Sequence, residues 1–211
     1  MHPVDVEAVT IDAFGTLVAL VDPVPALRAA LAARAVERTE AEVRSAFQVE
    51  AAYYVGRSHE GRDEATLALL RRDCATVFLG AAEAPLDVDE FTDAFVDALD
   101  FAELPGAADA CRTLKDAGLK LAVVSNWDVG LHRHLRALGL HELLDVVLTS
   151  AEAGAPKPAP QMFALAVERL GSTPERAVHV GDSEADAEGA HAAGLRFEPA
   201  PLPDAVRRIL A

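Results

Sequence analysis

The sequence predicts an α/β fold, a doubly wound parallel sheet that is interrupted after its first strand by an all-helical insert. From residue 105 onward, helical patterns alternate with short apolar runs, and a glycine closes each of four helices. Such a glycine accepts the left-handed conformation that ends a helix, and this alternation is typical of a parallel sheet. Residues 17–104, in contrast, show helical periodicity without a convincing strand. We therefore expect one region of mixed structure and one of helices.

The mixed region accounts for five predicted strands and four helices. The strands are apolar runs, as expected where both faces of a sheet are covered, at residues 6–11, 119–124, 143–148, 177–180 and 195–197. The helices cover residues 105–118, 128–138, 160–170 and 184–193, and their closing glycines are Gly118, Gly139, Gly171 and Gly194. Since the first strand precedes the insert, the predicted core comprises residues 1–16 and 105–211.

The insert contains four predicted helices, at residues 25–34, 39–54, 62–78 and 89–99. Thr39 and Glu42 have the spacing of a capping box, which places a helix start there. Apolar residues recur on one face of each helix, as Phe91 and Phe95 do on the last, so we expect a small helical core. An insert of residues 17–104 would form a cap over the carboxyl edge of the sheet, where ligands bind in open α/β folds.

Composition limits the possible partners of this chain. A net charge of −15 over 211 residues argues against nucleic acid and anionic membranes as partners, and an anionic substrate would need a local positive site. No apolar run reaches the length of a membrane span, and residues 1–5 do not begin a signal peptide. Cys74 and Cys111 suggest no disulfide framework, so we predict a cytoplasmic protein. The oligomeric state stays open, because apolar cap faces could serve a dimer or the cap's own core.

Charged and polar residues follow the ends of four predicted strands. Asp12 begins the run Asp-Ala-Phe-Gly-Thr after the first strand, and Ser125-Asn126 ends the second. Lys157 stands in the loop after the third strand, and Asp182 with Asp186 follows the fourth. Because the carboxyl ends of parallel strands meet at one edge, we expect these side chains to converge.

In order, identity and spacing these motifs resemble those of the haloacid dehalogenase (HAD) superfamily of hydrolases, and the resemblance covers essentially the whole chain. Its specific part is the pair formed by Asp12-x-x-Gly15-Thr16-Leu17 and Gly181-Asp182-x-x-x-Asp186. The resemblance implies a Rossmann-like core and an enzyme similar to subfamily IA, in which an early helical insert is a type-one cap.

The chemistry of these residues suits a carboxylate nucleophile. Asp12 would attack the substrate and form an acyl-phosphate or an ester, which divides one hard displacement into two steps. Two anions would then have to approach each other, so positive charge is required between them. Mg²⁺ held by Asp12, the main-chain carbonyl of Phe14 and Asp182 would supply that charge, since hard oxygen ligands suit this ion. Asp186 would either hold a metal-bound water or orient Lys157.

The remaining motif residues would stabilise the transferring group. The Lys157 ammonium would neutralise Asp12 and the substrate, while Ser125 and the main-chain amide of Asn126 would donate to its oxygens. Together these roles predict Mg²⁺-dependent hydrolysis of a small phosphorylated metabolite.

Phe14 departs from the family pattern. In HAD phosphatases the residue two positions after the nucleophile is an aspartate that protonates the leaving oxygen and later activates water. Phenylalanine does neither, and loss of one general acid–base group typically lowers a rate by about two to four orders of magnitude. The loss is smaller for leaving groups of low pKa, so we expect acyl or aryl phosphates to be favoured over alkyl phosphates.

Branches of the superfamily that lack this aspartate provide the alternatives. Phosphonatases need a cap lysine for a Schiff base, and residues 17–104 contain none. Haloacid dehalogenases share the Asp-Ala-aromatic-Gly-Thr run, but they are metal-free and lack the Gly-Asp pair that is present here as Gly181-Asp182. Phosphoryl chemistry is therefore favoured. A 2-haloacid dehalogenase and a catalytically weak metal- or phosphate-binding protein remain as alternatives.

Other polar residues have a structural as well as a functional interpretation. Tyr53 and His59 in the cap could replace the missing acid, and Arg44 could receive a halide, although such residues more often form a solvated surface. Asp128 is a second candidate acid, but a helix N-cap explains it equally well. His179 lies within a buried strand and is expected to be a satisfied core residue.

Overall fold

The computed structural model describes residues 6–211. The first five residues, on which the prediction about a signal peptide rests, lie outside this range. The described chain forms two compact units. Leu20–Phe101 is the smaller, and the residues up to Ala19 with Ala102–Ala211 form the larger.

The larger unit is built on a five-stranded parallel sheet. The strands of the described chain are β1 (Ala8–Ile11), β2 (Val18–Leu20), β3 (Phe101–Glu103), β4 (Lys120–Ser125), β5 (Val146–Thr149), β6 (Ala177–Gly181) and β7 (Arg196–Pro199). Across the sheet the order is β5-β4-β1-β6-β7, with every neighbouring pair parallel. The chain moves outward from β1 to β4 and β5 on one side, then to β6 and β7 on the other. The predicted doubly wound α/β fold is confirmed.

Helices alternate with the strands of this sheet. The described helices are α1 (Val24–Ala32), α2 (Glu40–Arg57), α3 (Glu64–Ala81), α4 (Val88–Asp97), α5 (Ala107–Asp116), α6 (Leu131–Ala137), α7 (Ser150–Ala153), α8 (Gln161–Arg169), α9 (Glu184–Ala192) and α10 (Leu202–Ile209). In the larger unit α5, α8, α9 and α10 pack on the strands. None of the helices in residues 6–211 has both the length and the apolar character needed to cross a bilayer.

Three local predictions differ from the structure. β2 and β3 pair with each other within the region that was expected to lack strands. They were missed because three residues are too few to show the alternation that predicts a strand. Residues His141–Leu143 form a 3-10 turn, so the strand expected from residue 143 begins at Val146. Helix α10 was not predicted. It begins beside Pro201 and Pro203, and prolines interrupt most helices, although one is tolerated in the first turn.

The smaller unit is a four-helix cluster with its own core. The aromatic rings of Phe78, Phe91 and Phe95 are fully buried, and the ring centroid of Phe78 lies 6.0 Å and 5.4 Å from those of the other two. The predicted capping box at the start of α2 is confirmed. There Thr39 N donates to Glu42 Oε2 at 2.7 Å, and Glu42 N donates to Thr39 Oγ1 at 3.3 Å.

A carboxyl group is buried within this helical core. Glu50 lies on the inner face of α2, where its side chain is 3% exposed. Burial raises the pKa of Glu50 to about 7, and a hydrogen bond with the Cys74 side chain offsets the increase only in part. Cys74 and Cys111 are buried and form no disulfide, as the sequence predicted.

Candidate active site

The residues predicted from the strand ends lie together at the carboxyl edge of the sheet. In β1, Ile11 pairs with Val123 of β4 on one side and with Val180 of β6 on the other. The three strands therefore end side by side. Asp12 N donates to Val180 O at 2.8 Å, which fixes Asp12 directly beyond the end of β1.

The loop after β1 has an internal hydrogen-bond pattern that does not use the Phe14 carbonyl. The Ala13 carbonyl accepts from Leu17 N at 2.8 Å and Val18 N at 2.9 Å, and Gly15 N donates to Val18 O at 2.9 Å. Among the main-chain hydrogen bonds of residues 6–211, none uses the Phe14 carbonyl. The loop is therefore held on both sides of this carbonyl, and the oxygen stays available to a ligand.

Gly15 brings this loop into contact with the loop after β6. Its φ is +82°, which disfavours any residue with a side chain. A Cβ atom built on Gly15 would overlap the Asp182 carboxylate. Glycine is therefore required at this position both by backbone conformation and by the close approach of Asp182.

Asp186 is held by hydrogen bonds to both of its carboxylate oxygens. Its Oδ1 accepts from Lys157 Nζ at 2.5 Å and from His179 Nε2 at 2.9 Å. Its Oδ2 accepts from Ser183 N at 3.2 Å and Ser183 Oγ at 2.5 Å, because Ser183 and Asp186 form the capping box of α9. A carboxylate offers about four lone-pair sites, and these four donors occupy them. Of the two predicted roles for Asp186, this geometry favours the orientation of Lys157.

The Lys157 ammonium bridges two carboxylates. Its Nζ donates to Asp12 Oδ1 at 2.6 Å as well as to Asp186, and the residue is buried. Burial alone would lower the pKa of Lys157, but the charges of Asp12 and Asp186 outweigh it and raise that pKa. For Asp186, burial acts to raise the pKa, yet the His179 hydrogen bond and the Lys157 charge lower it. The structure thus holds a charged ammonium against the predicted nucleophile.

Asn126 fixes the main chain that carries this lysine. Asn126 Nδ2 donates to the Lys157 carbonyl at 3.1 Å, and Lys157 N donates to Asn126 Oδ1 at 2.7 Å. The sequence predicted a role for the Asn126 main-chain amide, and this side-chain role was missed. Ser125, the last residue of β4, is buried beside the same edge. Asp128 Oδ1 accepts from Gly130 N at 2.6 Å. Helix α6 begins at Leu131 with Gly130 as its N-cap, so the N-cap role expected for Asp128 is wrong, and the contact is a turn before the helix.

His179 is a satisfied core residue, as predicted: it is buried, and both of its ring nitrogens are hydrogen bonded. Nδ1 lies 2.9 Å from Thr10 Oγ1 and Nε2 lies 2.9 Å from Asp186 Oδ1. Burial lowers the pKa of His179, which favours the neutral ring with one N–H. Because an ionised carboxylate can only accept, Nε2 donates to Asp186, and Thr10 donates to Nδ1. The sequence contained a signal for this pair, two polar residues at matching positions of adjacent apolar strands, since Thr10 and His179 are in register.

Phe14 occupies the place where the family pattern has an aspartate. Its side chain is 51% exposed, and its ring lies 6.3 Å from that of Trp127 in an edge-to-face arrangement. At this position the site therefore presents an apolar ring in place of the carboxyl group of the family pattern.

Two of the three candidate residues in the predicted cap have partners within the smaller unit. Arg44 forms ion pairs with Asp22 at 3.2 Å and Glu40 at 2.8 Å. The guanidinium of Arg57 lies 5.0 Å from the ring centroid of Tyr53. His59 lies in the 3-10 turn Ser58–Glu60. A substrate contact by Arg44, Tyr53 or His59 therefore stays a prediction.

The acidic residues of the site fit a divalent cation. One carboxylate oxygen from each of Asp12, Asp182 and Asp186 lies within 4.8 Å of the others. When all three carboxylates are ionised, the single Lys157 ammonium balances one of them, and the net charge of the site is two negative charges. Burial and the charges of Asp12 and Asp186 raise the pKa of Asp182, which reflects this crowding of like charge. Carboxylate oxygens are the donors that hard dications prefer.

A comparison with models of protein families shows the family of this chain. Residues 6–194 match the model of the haloacid dehalogenase-like hydrolases. The chain belongs to this family. The resemblance inferred from the motifs is thereby confirmed, as is the prediction of a hydrolase.

Curated relatives of this HAD-like hydrolase match over part of their length. Mouse (Mus musculus) "haloacid dehalogenase-like hydrolase domain-containing protein 3" is 46% identical over 93 residues, which are 44% of this chain and 37% of that protein. The "ribulose-1,5-bisphosphate 5-phosphatase" of Halopiger xanaduensis is 40% identical over 107 residues, 48% of this chain and 45% of that enzyme. The matches thus span less than half of each relative.

A solved structure extends the similarity to most of the chain. The L-2-haloacid dehalogenase of Xanthobacter autotrophicus is 27% identical to this HAD-like hydrolase, with a TM-score of 0.65. The match covers 91% of this chain and 76% of that one. The fold is thus shared with a dehalogenase, while the Halopiger relative is named a phosphatase.

Proposed function

We propose that this HAD-like hydrolase is a Mg²⁺-dependent phosphatase that hydrolyses a small phosphorylated metabolite through an aspartyl-phosphate on Asp12. The observation that carries the proposal is the buried Lys157 ammonium, 2.6 Å from Asp12 Oδ1, beside two further carboxylates. This arrangement provides a nucleophile, a fixed positive charge and an oxygen donor set in one place. The name of the Halopiger relative supports a phosphorylated substrate.

The chain's own residues supply the nucleophile and the fixed positive charge for both steps. An Asp12 carboxylate oxygen attacks phosphorus, so that an O–P bond forms while the bond to the leaving oxygen breaks. Water then attacks the same phosphorus, the bond to Asp12 breaks, and inorganic phosphate and the free carboxylate result. Lys157 donates two of its three protons to Asp12 and Asp186, and the third can bind a phosphoryl oxygen. Its fixed charge stabilises the transferring group without reorganisation.

Mg²⁺ would be held by the Asp12 carboxylate, the Phe14 carbonyl and Asp182. When bound, it would balance the two negative charges that remain on the site, so that the site no longer repels an anionic substrate. We assign to Asp186 the orientation of Lys157 and not the binding of the metal, because donors from the protein occupy all the lone-pair sites of the Asp186 carboxylate. To the helical unit Leu20–Phe101, predicted to be the cap, we assign the choice of substrate.

Release of p-nitrophenol from its phosphate ester tests this proposal. That leaving group needs no protonation, so Phe14 should not limit the rate. We expect turnover with Mg²⁺, none with EDTA, and none in Asp12→Asn, which keeps the size of the side chain and an acceptor for Lys157. Turnover that persists in Asp12→Asn would contradict an Asp12 nucleophile.

A 2-haloacid dehalogenase is the second candidate. Two observations favour it, the similarity to the Xanthobacter enzyme and the aromatic residue at Phe14. The same protein should be assayed for halide release from 2-haloacids in EDTA. Halide release without phosphatase activity would replace the first proposal, and absence of both activities in a folded protein would favour a binding role.

A further inference from the structure

A chain of buried hydrogen bonds runs from the centre of the sheet to the nucleophile. Thr10 donates to His179, His179 donates to Asp186, and Lys157 donates to both Asp186 and Asp12, over distances of 2.9, 2.9, 2.5 and 2.6 Å. Thr10, His179 and Asp186 have no exposed surface. This series of hydrogen bonds thus joins β1, β6, α9 and the lysine loop through side chains alone.

Within this chain, His179 determines how Asp186 meets Lys157. Ser183 binds only Oδ2 of Asp186, so Oδ1 is fixed by its two other donors. If His179 did not donate, Lys157 would be the one remaining donor to Oδ1. The ammonium and the carboxylate could then shift together, away from Asp12. A displacement of about 1 Å within a reacting site can lower a rate about 100-fold.

A purely structural role does not account for these contacts. The His179 ring packs edge-on against the ring of Phe163 at 4.8 Å, a contact that an apolar side chain could replace. A buried imidazole requires partners for both nitrogens, and an apolar residue would fill the strand without that requirement. One of the partners supplied here is the carboxylate that binds Lys157.

We propose that His179 is a positioning residue for Lys157. It donates to Asp186 and thereby holds the lysine ammonium against Asp12, while Thr10 keeps its Nδ1 occupied so that the proton stays on Nε2. The proposal rests on the proposed phosphatase function, in which the place of the ammonium affects phosphoryl transfer. It does not involve a change in the charge of His179.

The test compares His179→Gln with His179→Met. The two side chains are similar in length and volume, and both lose the ring contact with Phe163, but only glutamine can donate an N–H to Asp186. With p-nitrophenyl phosphate and saturating Mg²⁺, we expect the Met variant to lose about 10- to 100-fold in kcat with KM within about threefold of the parent. The Gln variant should recover most of kcat. Equal losses in two folded variants, or parent kcat in the Met variant, would overturn the proposal.

A second pair tests the same chain if neither His179 variant folds. Thr10→Val keeps the shape of the side chain and removes its hydroxyl, whereas Thr10→Ser retains the hydroxyl. We expect kcat to fall in the Val variant and to be close to the parent value in the Ser variant. Equal kcat in both would overturn the proposal.

Urea unfolding separates this inference from the proposed function. If the parent does not hydrolyse the ester, the phosphatase proposal fails, yet the coupling can still be measured from unfolding midpoints. We expect the double variant His179→Met with Lys157→Met to shift the midpoint by less than the two single shifts combined, since both residues act on Asp186. If His179→Met does not fold, the double variant Thr10→Val with Lys157→Met is compared with its two single variants, and the same smaller combined shift is expected. Additive shifts would overturn the inference.

Discussion

The side-chain amide of Asn126 makes two hydrogen bonds to the main chain of Lys157. Its donor lies 3.1 Å from the Lys157 carbonyl and its acceptor 2.7 Å from the Lys157 amide. Asn126 directly follows β4, so this pair ties the lysine loop to the rigid sheet. The place of the ammonium is thereby set from two directions, by Asn126 through the main chain and by Asp186 at the side-chain tip.

Replacement of Asn126 should reduce activity in a graded way. Asn126→Ala removes both hydrogen bonds and should lower kcat/KM about 10-fold or more, because a loosened lysine loop misplaces the ammonium. Asn126→Asp keeps the acceptor for the Lys157 amide but loses the donor, and we expect an intermediate value. Steady-state kinetics with p-nitrophenyl phosphate measure both. Parent activity in Asn126→Ala would show that the amide pair does not affect the site.

Gly15→Ala should disturb the proposed metal site, and Gly118→Ala provides a matched control. Both glycines have a φ near +80°, at +82° and +83°, so each substitution carries a similar cost of about 1 kcal/mol in stability. Only at Gly15 does the new Cβ meet the Asp182 carboxylate; at Gly118 nothing lies within 4 Å. We expect Gly15→Ala to raise the Mg²⁺ concentration for half-maximal activity about 10-fold or more. An equal Mg²⁺ requirement in the two variants would argue against Asp182 as a ligand.

Phe14→Asp should restore the missing acid. The side chain at this position is 51% exposed, so a carboxylate there stays solvated. Hydrolysis of alkyl phosphates should rise about 10- to 100-fold, below the full range for general acid catalysis because the new group is not positioned by evolved partners. Turnover of p-nitrophenyl phosphate should change little, since its leaving group needs no proton. Phe14→Asn is the control of equal size without an acid, and an equal gain there would contradict this explanation.

Glu50 should make the stability of the smaller unit depend on pH. Its pKa is about 7 in the folded protein against an ordinary value of 4.5. Between these values the unfolded chain releases a proton that the folded unit retains, so the free energy of unfolding falls as pH rises and levels off above pH 7.

Glu50→Gln removes this titration at nearly constant shape. We expect the variant to exceed the parent in free energy of unfolding by about 2 to 3 kcal/mol at about pH 8, with little difference at about pH 4. Urea unfolding followed by circular dichroism at the two pH values measures this. Glu168→Gln, on the exposed surface of α8, is the control for the same change of residue type outside a core. A Glu50→Gln variant with the pH dependence of the parent would refute the prediction.

Much of the fold followed from local patterns. The four closing glycines and the apolar runs placed the strands of the sheet, because helix termination and strand burial depend on residues close in sequence. The same logic failed for β2 and β3, which are too short to show a period, and for α10, which begins among prolines. These elements depend on contacts with distant parts of the chain.

The sequence by itself determined that Asp12, Lys157 and Asp182 would converge, since parallel strands bring their carboxyl ends to one edge of a sheet. Only the tertiary structure decided which atoms pair. The hydrogen bonds of Lys157 join residues 145 and 29 positions apart, and the Thr10–His179 pair is separated by 169. A hydrogen bond depends on position to a few tenths of an ångström, and packing of the whole sheet sets those positions. The local pattern therefore placed Asp186 near the site, but it left open whether its carboxylate serves the metal or Lys157. In the packed structure the carboxylate accepts hydrogen bonds from Lys157, His179 and Ser183.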